Sequence, residues 1–214
     1  LANPTMKRAW TKQAKGKDMW KDFARGKTLG TGMCGAVYSV SHRMTGTQYA
    51  CKSLIKSRVD RRMIEDLGRE IDLLSKLDHP NIVKIYDFGI DEELKIPFIA
   101  MEFLAGDDLS DLISDKDTLS ETDACGLLSQ VAKALVEAHD KGIVHRDLKP
   151  DNIHVRRLSD GDRQCKVLDF GIAKVVEGAS ESEANMTGTG MTIGTPLYMS
   201  PEQVCSRPVD FRAD

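Results

Sequence analysis

Four polar side chains in the second half of the chain have types and a spacing that suit phosphoryl transfer. Residues 145–152 read His-Arg-Asp-Leu-Lys-Pro-Asp-Asn, and Asp169 opens an Asp-Phe-Gly triplet seventeen residues after Asn152. Phosphoryl transfer needs a carboxylate that orients the attacking hydroxyl, and oxygen ligands that hold Mg²⁺ beside the phosphates. Asp147 supplies the carboxylate, Lys149 supplies a cation, and Asn152 and Asp169 supply oxygen ligands that suit Mg²⁺. The pattern is therefore typical of a site that binds a phosphate donor through Mg²⁺.

These two motifs resemble the catalytic loop and the metal-binding turn of protein kinases. The resemblance implies ATP and Mg²⁺ as cofactors and proteins as substrates. It implies that Asp147 orients the substrate hydroxyl, Lys149 steadies the γ-phosphate, and both Asn152 and Asp169 hold Mg²⁺. Lys149 and the stretch 194–202, Gly-Thr-Pro-Leu-Tyr-Met-Ser-Pro-Glu, resemble serine/threonine kinases rather than tyrosine kinases. The expected reaction is transfer of the ATP γ-phosphoryl group to Ser or Thr hydroxyls.

A glycine-rich stretch at residues 30–37 fits the pattern G-x-G-x-x-G-x-V. Alone, the pattern is weak, because dinucleotide-binding folds share its first six positions. Those folds need a helix after the glycines, whereas a strand-like alternation follows here, so a dinucleotide enzyme is disfavoured. Together with the kinase motifs, the stretch predicts a hairpin over the ATP phosphates. The resemblance assigns ATP binding to Gly30, Thr31, Gly32, Gly35, Val37, Ala50, Lys52, Glu102, Leu104, Asp108 and His154.

A lysine and a glutamate complete the expected catalytic set. Lys52 follows Ala50-Cys51 at the end of a predicted strand and resembles the lysine that kinases place on the ATP phosphates. Glu70 lies in the stretch 64–77, where apolar residues recur every three or four positions, as on one face of a helix. The resemblance implies an ion pair between Lys52 and Glu70.

The hinge and the adenine pocket carry two open questions. Residues 101–104 resemble the hinge that hydrogen-bonds adenine through its backbone, here at Glu102 and Leu104. Asp108 falls where kinases often hold the ribose, but a loop or helix-capping aspartate would look the same. His154 stands where an aliphatic residue usually closes the adenine pocket. It is read either as a tolerated substitution or as a cause of altered nucleotide affinity.

A polar stretch after the Asp-Phe-Gly triplet resembles a kinase activation loop. Arg146 and Lys174 resemble a basic pocket that receives a phosphorylated residue of that loop. The spacing of Thr187 and Thr189 before Thr195 resembles paired autophosphorylation sites of bacterial-type kinases, with Thr192 as the runner-up. We therefore expect autophosphorylation, with transfer in trans as one route.

The expected fold class is α+β. A small antiparallel β lobe with one helix is joined to a mainly helical lobe that is incomplete here. The sequence predicts a basic N-terminal extension over 1–22, an N-lobe over 23–102 and a partial C-lobe over 103–214, with a helix between Ser120 and Gly142. Asp214 resembles the aspartate that opens the long helix at the base of that lobe. The extension is read as solvated chain or as a docking segment.

Composition limits the other function classes. The net charge of −3 gives no reason to expect nucleic-acid binding, and no apolar run approaches a membrane span. The five scattered cysteines favour reduced thiols and a cytoplasmic location. A pseudokinase or ATP-binding scaffold is the alternative function. The subgroup stays open between calcium/calmodulin-type and bacterial-type kinases.

Overall fold

The computed structural model describes most of the chain, and the structural statements below concern those residues. They are residues 23–32, 35–54, 61–91, 96–116, 118–170 and 196–214. The chain divides into two compact units, one formed by residues 1–75 and 84–103 and the other by residues 76–83 and 104–214. Each unit is described separately.

The first unit is built on one antiparallel sheet of five strands. Its spatial order is β1-β2-β3-β5-β4, and the strands span Phe23–Gly32 (β1), Gly35–His42 (β2), Gln48–Leu54 (β3), Ile85–Asp91 (β4) and Ile96–Glu102 (β5). Gly46 adopts a positive φ of 69° in the turn between β2 and β3, as the Thr45-Gly46 pair predicts. The β lobe expected from the alternating strand pattern is confirmed.

Helix α1, Arg61–Leu74, packs against one face of this sheet. Its buried side chains include Leu67, Ile71 and Leu74, the spacing that predicts a helix. A Cβ atom at Gly68 would contact the Phe88 ring, which places α1 over β4. The strand register puts Phe88 on the same face as Lys52, because residues paired across antiparallel strands point to the same side. Helix α1 and Lys52 therefore share a face of the sheet.

The opposite face carries an aromatic cluster. The Tyr49 ring makes T-shaped contacts with the Phe23 ring, at 5.8 Å between centroids, and with the Tyr86 ring, at 5.5 Å. Cys51 lies in the same cluster, and burial raises the pKa of its thiol to about 12. A thiol with so high a pKa stays protonated and unreactive, so Cys51 acts as core packing.

The second unit combines helices with a small sheet. Among its described residues the elements are β6 (Asp107–Asp108), α2 (Leu109–Lys116), α3 (Glu121–His139), β7 (Ile153–Arg157), β8 (Arg163–Val167), α4 (Pro201–Val204) and three short 3-10 turns, with sheet order β6-β7-β8. The Ser120 hydroxyl accepts a hydrogen bond from the Asp123 N–H at 3.1 Å, so it caps α3 as the sequence predicts. Gly142 takes a positive φ of 73° just past the helix end.

Residues 76–83 belong to the second unit, although the chain on both sides of them belongs to the first. The Val83 N–H donates to the Val167 carbonyl at 3.0 Å, and the Val167 N–H donates to the Asn81 carbonyl at 2.8 Å. The Asn81 side chain also donates to the Cys165 carbonyl at 2.8 Å. These long-range bonds add the segment to β8. The sequence places residues 76–83 in the N-lobe, which it predicts over 23–102, and it does not predict these bonds to β8.

Candidate active site

The loop before β7 is held in place by the carboxylate of Asp214. One oxygen, Oδ1, accepts a hydrogen bond from the Arg146 N–H at 2.7 Å. The other, Oδ2, accepts hydrogen bonds from the His145 N–H at 2.7 Å and from His139 Nε2 at 2.9 Å. The Asp214 side chain is only 1% exposed. A buried carboxylate needs such donors to offset its lost hydration, and in return it fixes the backbone that leads to Asp147.

His145 connects that loop to the strand before Asp169. It is fully buried, its Nε2 lies 2.7 Å from the Leu168 carbonyl, and its Nδ1 accepts the Asp147 N–H at 3.2 Å. A carbonyl can only accept, so Nε2 carries the proton and Nδ1 is the acceptor. Burial lowers the pKa of His145, which keeps the ring in this neutral form. The His145 ring thus ties Asp147 to the chain that carries Asp169.

Asp147, Lys149 and Asn152 form one cluster. The Asn152 side-chain nitrogen donates to the Asp147 carbonyl at 2.7 Å and to its carboxylate Oδ2 at 3.0 Å. Lys149 Nζ lies 3.1 Å from the same Oδ2. Both contacts fix the rotation of the Asp147 carboxylate, and the lysine adds positive charge next to it. The structure therefore brings together three of the four residues that the catalytic motif predicts.

The fourth residue, Asp169, follows directly on a segment bonded to Asn152. The Leu168 N–H donates to the Asn152 carbonyl at 2.9 Å, and Asp169 itself adopts a positive φ of 56°. Left-handed backbone is uncommon for a residue other than glycine, and it is found in strained turns at functional sites. Because the Asn152 nitrogen is engaged by Asp147, its amide oxygen is the atom left for a cation. An amide oxygen and a carboxylate fit Mg²⁺.

The glycine-rich stretch forms the hairpin that the sequence predicts. Gly30 pairs with Val37 and Gly32 with Gly35 across the β1–β2 turn. Gly35 has a φ of 147°, and a Cβ atom there would collide with the Ser53 carbonyl oxygen. Only glycine fits this position, because β3 approaches the backbone too closely for a side chain. Thr31 lies opposite Ala36 in the same hairpin.

Val37, Ala50 and Lys52 lie on one face of the first sheet. Lys52 pairs with Val37 on β2 and with Ile99 on β5, and Ala50 lies two residues before Lys52 on the same strand. Glu70 is half-buried on α1, the helix that packs on this face. The Lys52–Glu70 ion pair stays a prediction.

Glu102, an expected hinge residue, is hydrogen-bonded to the segment of the first unit that contains Lys84. Its carboxylate accepts the Lys84 N–H at 2.8 Å, and its own N–H donates to the Lys84 carbonyl at 2.9 Å. This exchange fixes the last residue of β5. Leu104, the other expected hinge contact, is half-buried. Adenine binding by Glu102 and Leu104 stays a prediction.

Asp108 and His154 are cross-strand neighbours between β6 and β7. The Asp108 Oδ1 accepts the Asp111 N–H at 2.8 Å, which makes Asp108 the cap of α2. One oxygen of the Asp108 carboxylate is thus engaged in capping α2. A contact between Asp108 and a ribose stays a prediction. Burial lowers the pKa of His154, and its Nε2 atom is buried without a hydrogen-bond partner among the described residues. Such an atom is costly unless a ligand or water satisfies it.

The residues expected in the activation loop are mostly outside the described part of the chain. Arg146 is described, and its side chain is exposed. Residues expected to act with it lie outside the described residues: Lys174, Thr187, Thr189, Thr192 and Thr195. Their roles stay predictions.

Ser200 and Gln203 were not expected to take part in the site. Ser200 stands where kinases usually have alanine, and here its hydroxyl accepts the Gln203 N–H at 3.4 Å, which caps α4. The Gln203 side chain reaches the Arg146 carbonyl, 57 residues away in sequence. The Ser-x-x-Gln spacing is a capping-box signal, so the cap was readable from the sequence, but the contact with Arg146 was not.

Comparison with known proteins identifies the family of the chain. Residues 23–214 match the family described as "Protein kinase domain". Serine/threonine-protein kinase pkn3 of Myxococcus xanthus is 43% identical over 155 residues, which are 72% of this chain and 28% of that protein. Serine/threonine-protein kinase DCLK3 of Homo sapiens is 35% identical over 196 residues, 91% of this chain and 28% of that protein. The crystal structure of the Mycobacterium tuberculosis PknI kinase domain has a TM-score of 0.68 at 25% identity, covering 94% of this chain and 71% of that one.

The chain therefore belongs to the protein kinase family, and the expected α+β kinase fold is confirmed. Members of this family use ATP and Mg²⁺ and act on protein substrates. The chain spans 28% of the length of both curated relatives.

Other kinds of site find no support in the described part of the chain. Within it, no cluster of three or more His, Cys, Asp or Glu side chains could hold a metal ion by itself. No described helix has the length and apolar character that crossing a bilayer requires. Four cysteines are described, and all are free thiols: Cys51, Cys125, Cys165 and Cys205.

Proposed function

We propose that this chain is the catalytic part of a serine/threonine protein kinase. The observation that carries the proposal is the cluster in which Asn152 and Lys149 both contact Asp147 Oδ2. Asn152 and Lys149 orient the Asp147 carboxylate, which then accepts or aligns the proton of a Ser or Thr hydroxyl. A carboxylate held this way is ready before substrate arrives.

The remaining roles follow the same chemistry. Bound Mg²⁺ neutralises charge on the phosphates, and Asn152 and Asp169 would hold it. Lys149 would place its ammonium on the γ-phosphate, while Lys52 and Glu70 would position the other phosphates. The named curated relatives are serine/threonine kinases, which supports Ser and Thr as acceptors.

Two substitutions test these roles in the full-length protein. Asp147→Asn should keep Mg-ATP affinity and lose about 10²–10⁴-fold in turnover, because only the orienting carboxylate is removed. Asp169→Ala should instead weaken the Mg²⁺-dependent affinity for ATP. Asp140→Asn, an exposed carboxylate just past the end of α3, is the matched control and should behave as wild type.

Nucleotide titration and turnover of a protein acceptor distinguish an active kinase from a pseudokinase or ATP-binding scaffold. Wild-type protein that binds Mg-ATP without transferring phosphate would identify a pseudokinase or scaffold. Equal turnover of Asp147→Asn and wild type would contradict the assignment of Asp147.

We also propose that the protein phosphorylates itself in the segment after Asp169. The Thr-rich spacing around Thr187 and Thr189 supports this, with Thr192 as the runner-up. Mass spectrometry after incubation with Mg-ATP should find phosphate at one of these residues. Mixing active protein with the Asp147→Asn variant tests transfer in trans. Phosphate found only elsewhere in the chain would count against the segment.

A further inference from the structure

The side chain of Gln203 makes two hydrogen bonds with opposite roles. Its Oε1 accepts the Ser200 N–H at 2.9 Å, which closes the capping box of α4. Its Nε2 donates to the Arg146 carbonyl at 2.6 Å. The cap needs only the oxygen of this amide, so the second bond is an addition to it. One side chain thus joins α4 to the loop that carries Asp147.

The Arg146 carbonyl belongs to the peptide bond that leads into Asp147. The N–H of that same peptide bond is donated to His145 Nδ1 at 3.2 Å. Both polar atoms of the bond are therefore held by side chains, one from α4 and one from the loop itself. With its two ends fixed, the peptide plane cannot rotate, and the direction in which the Asp147 side chain leaves the backbone is fixed with it.

The backbone at Arg146 needs this support. Arg146 has a φ of 68°, in the left-handed region that residues with a Cβ atom rarely occupy. Asp214 Oδ1 holds its N–H at 2.7 Å, and Gln203 holds its carbonyl. An unfavourable conformation persists only where the surrounding structure fixes it on both sides. If either hydrogen bond is lost, the backbone at Arg146 relaxes to a more favourable conformation, and Asp147 moves with it.

We propose that Gln203 is a positioning residue, which orients Asp147 by fixing the Arg146–Asp147 peptide. The inference rests on the proposed kinase function, since it assigns Asp147 to the reacting hydroxyl. On this proposal the position of α4 affects the rate of turnover. Any ligand or modification that moves α4 changes the alignment of Asp147 through the Gln203–Arg146 hydrogen bond.

Glutamate is the sharpest replacement. Gln203→Glu keeps an oxygen for the Ser200 N–H, so the capping box survives, but a carboxylate cannot donate to the Arg146 carbonyl. Gln203→Met removes both bonds and keeps the length of the side chain. Gln48→Glu, at an exposed position of β3, is the control for the change in charge.

Kinetics on the full-length protein give the first readout, with dephosphorylated casein as acceptor. Gln203→Glu and Gln203→Met should each lower kcat by about tenfold to hundredfold, the range expected when a catalytic group is misplaced without being lost. The KM for ATP should stay unchanged, and the melting temperature of Gln203→Glu should stay close to wild type. Gln48→Glu should match wild type in every measurement.

Hydrogen exchange gives a readout that does not depend on turnover. The peptide that covers residues 145–152 should exchange faster in both Gln203 variants, while a peptide from α3 exchanges as in wild type. Wild-type kcat and wild-type exchange in Gln203→Glu would overturn the inference. So would a loss of kcat accompanied by faster exchange throughout the second unit, since that outcome shows a loss of stability. Faster exchange of residues 145–152 in a protein without kinase turnover would support the coupling between Gln203 and this loop. The same result would contradict the proposed kinase function.

Discussion

Loss of the Asp214 carboxylate should lower both the stability of the second unit and the turnover rate. Its carboxylate accepts hydrogen bonds from the backbone N–H groups of His145 and Arg146, and from the His139 ring. Asp214→Ala removes all three acceptor contacts at once. It also lets the left-handed backbone of Arg146 relax, because one of its two supports is gone.

The magnitude follows from the two backbone donors. A buried donor that loses its acceptor costs about 1–3 kcal/mol of stability. The His145 N–H is the more buried of the two, whereas Arg146 is exposed and water recovers part of its loss. The buried charge itself is costly to hold, and its removal offsets another part. We therefore expect a loss of about 2–4 kcal/mol, a large share of the roughly 5–15 kcal/mol that a typical domain has.

Urea unfolding and turnover of the full-length protein measure the effect. Asp214→Ala should lower the urea midpoint of the second unit and reduce kcat more than it changes the KM for ATP. Asp140→Ala is the matched control, since that carboxylate lies exposed just past the end of α3. It should shift the midpoint far less. Equal midpoints for the Asp214 and Asp140 variants would refute the anchoring role of Asp214.

Three further outcomes follow from the structure. Gly35→Ala should lower the melting temperature and raise the KM for ATP, because its Cβ atom meets the Ser53 carbonyl. Gly126→Ala, in open space on α3, should instead stabilise the protein by about 0.5–1 kcal/mol. His154→Leu should stabilise the protein by about 1–3 kcal/mol in thermal melts without nucleotide, because it removes a buried nitrogen that has no partner among the described residues; a destabilised variant would contradict this. Burial lowers the pKa of both His145 and His154 below the ordinary 6.5, so the unfolded chain binds more protons, and stability should be lost as pH falls below that value. Thermal melts across this pH range should show that the stability of His154→Leu depends less on pH than that of wild type. Equal pH dependence in variant and wild type would contradict a lowered pKa of His154.

The sequence predicts best the features that depend on near neighbours. The strand alternation, the spacing of Leu67, Ile71 and Leu74, and the Ser120 cap all report contacts within a few residues, and the structure contains each of them. The proximity of Asp147 and Asn152 was also predictable, because the two residues lie five positions apart on one short loop.

Contacts between distant parts of the chain were not readable in the same way. Asp214 and Gln203 reach Arg146 across 68 and 57 residues. No local pattern records which carbonyl or N–H a distant side chain will meet, since tertiary folding decides it. The left-handed backbone of Arg146 and Asp169 was not predictable either, because arginine rarely adopts it and aspartate, although enriched there, adopts it too seldom to be predicted at one position. The sequence could name these residues without showing what holds them.

The assignment of residues 76–83 to the second unit has a consequence for synthesis on the ribosome. The first sheet is complete once β5 has been made, because all five of its strands then exist. Asn81 must wait for Cys165, which is synthesised 84 residues later. Until then the nascent chain carries a finished sheet interrupted by an eight-residue segment whose partners on β8 do not yet exist, which leaves Ile82 and Val83 without the strand they bond to. Chaperones that bind short apolar stretches would find their natural target at this point of the growing chain, and variants that slow translation between residues 103 and 165 would lengthen the exposure.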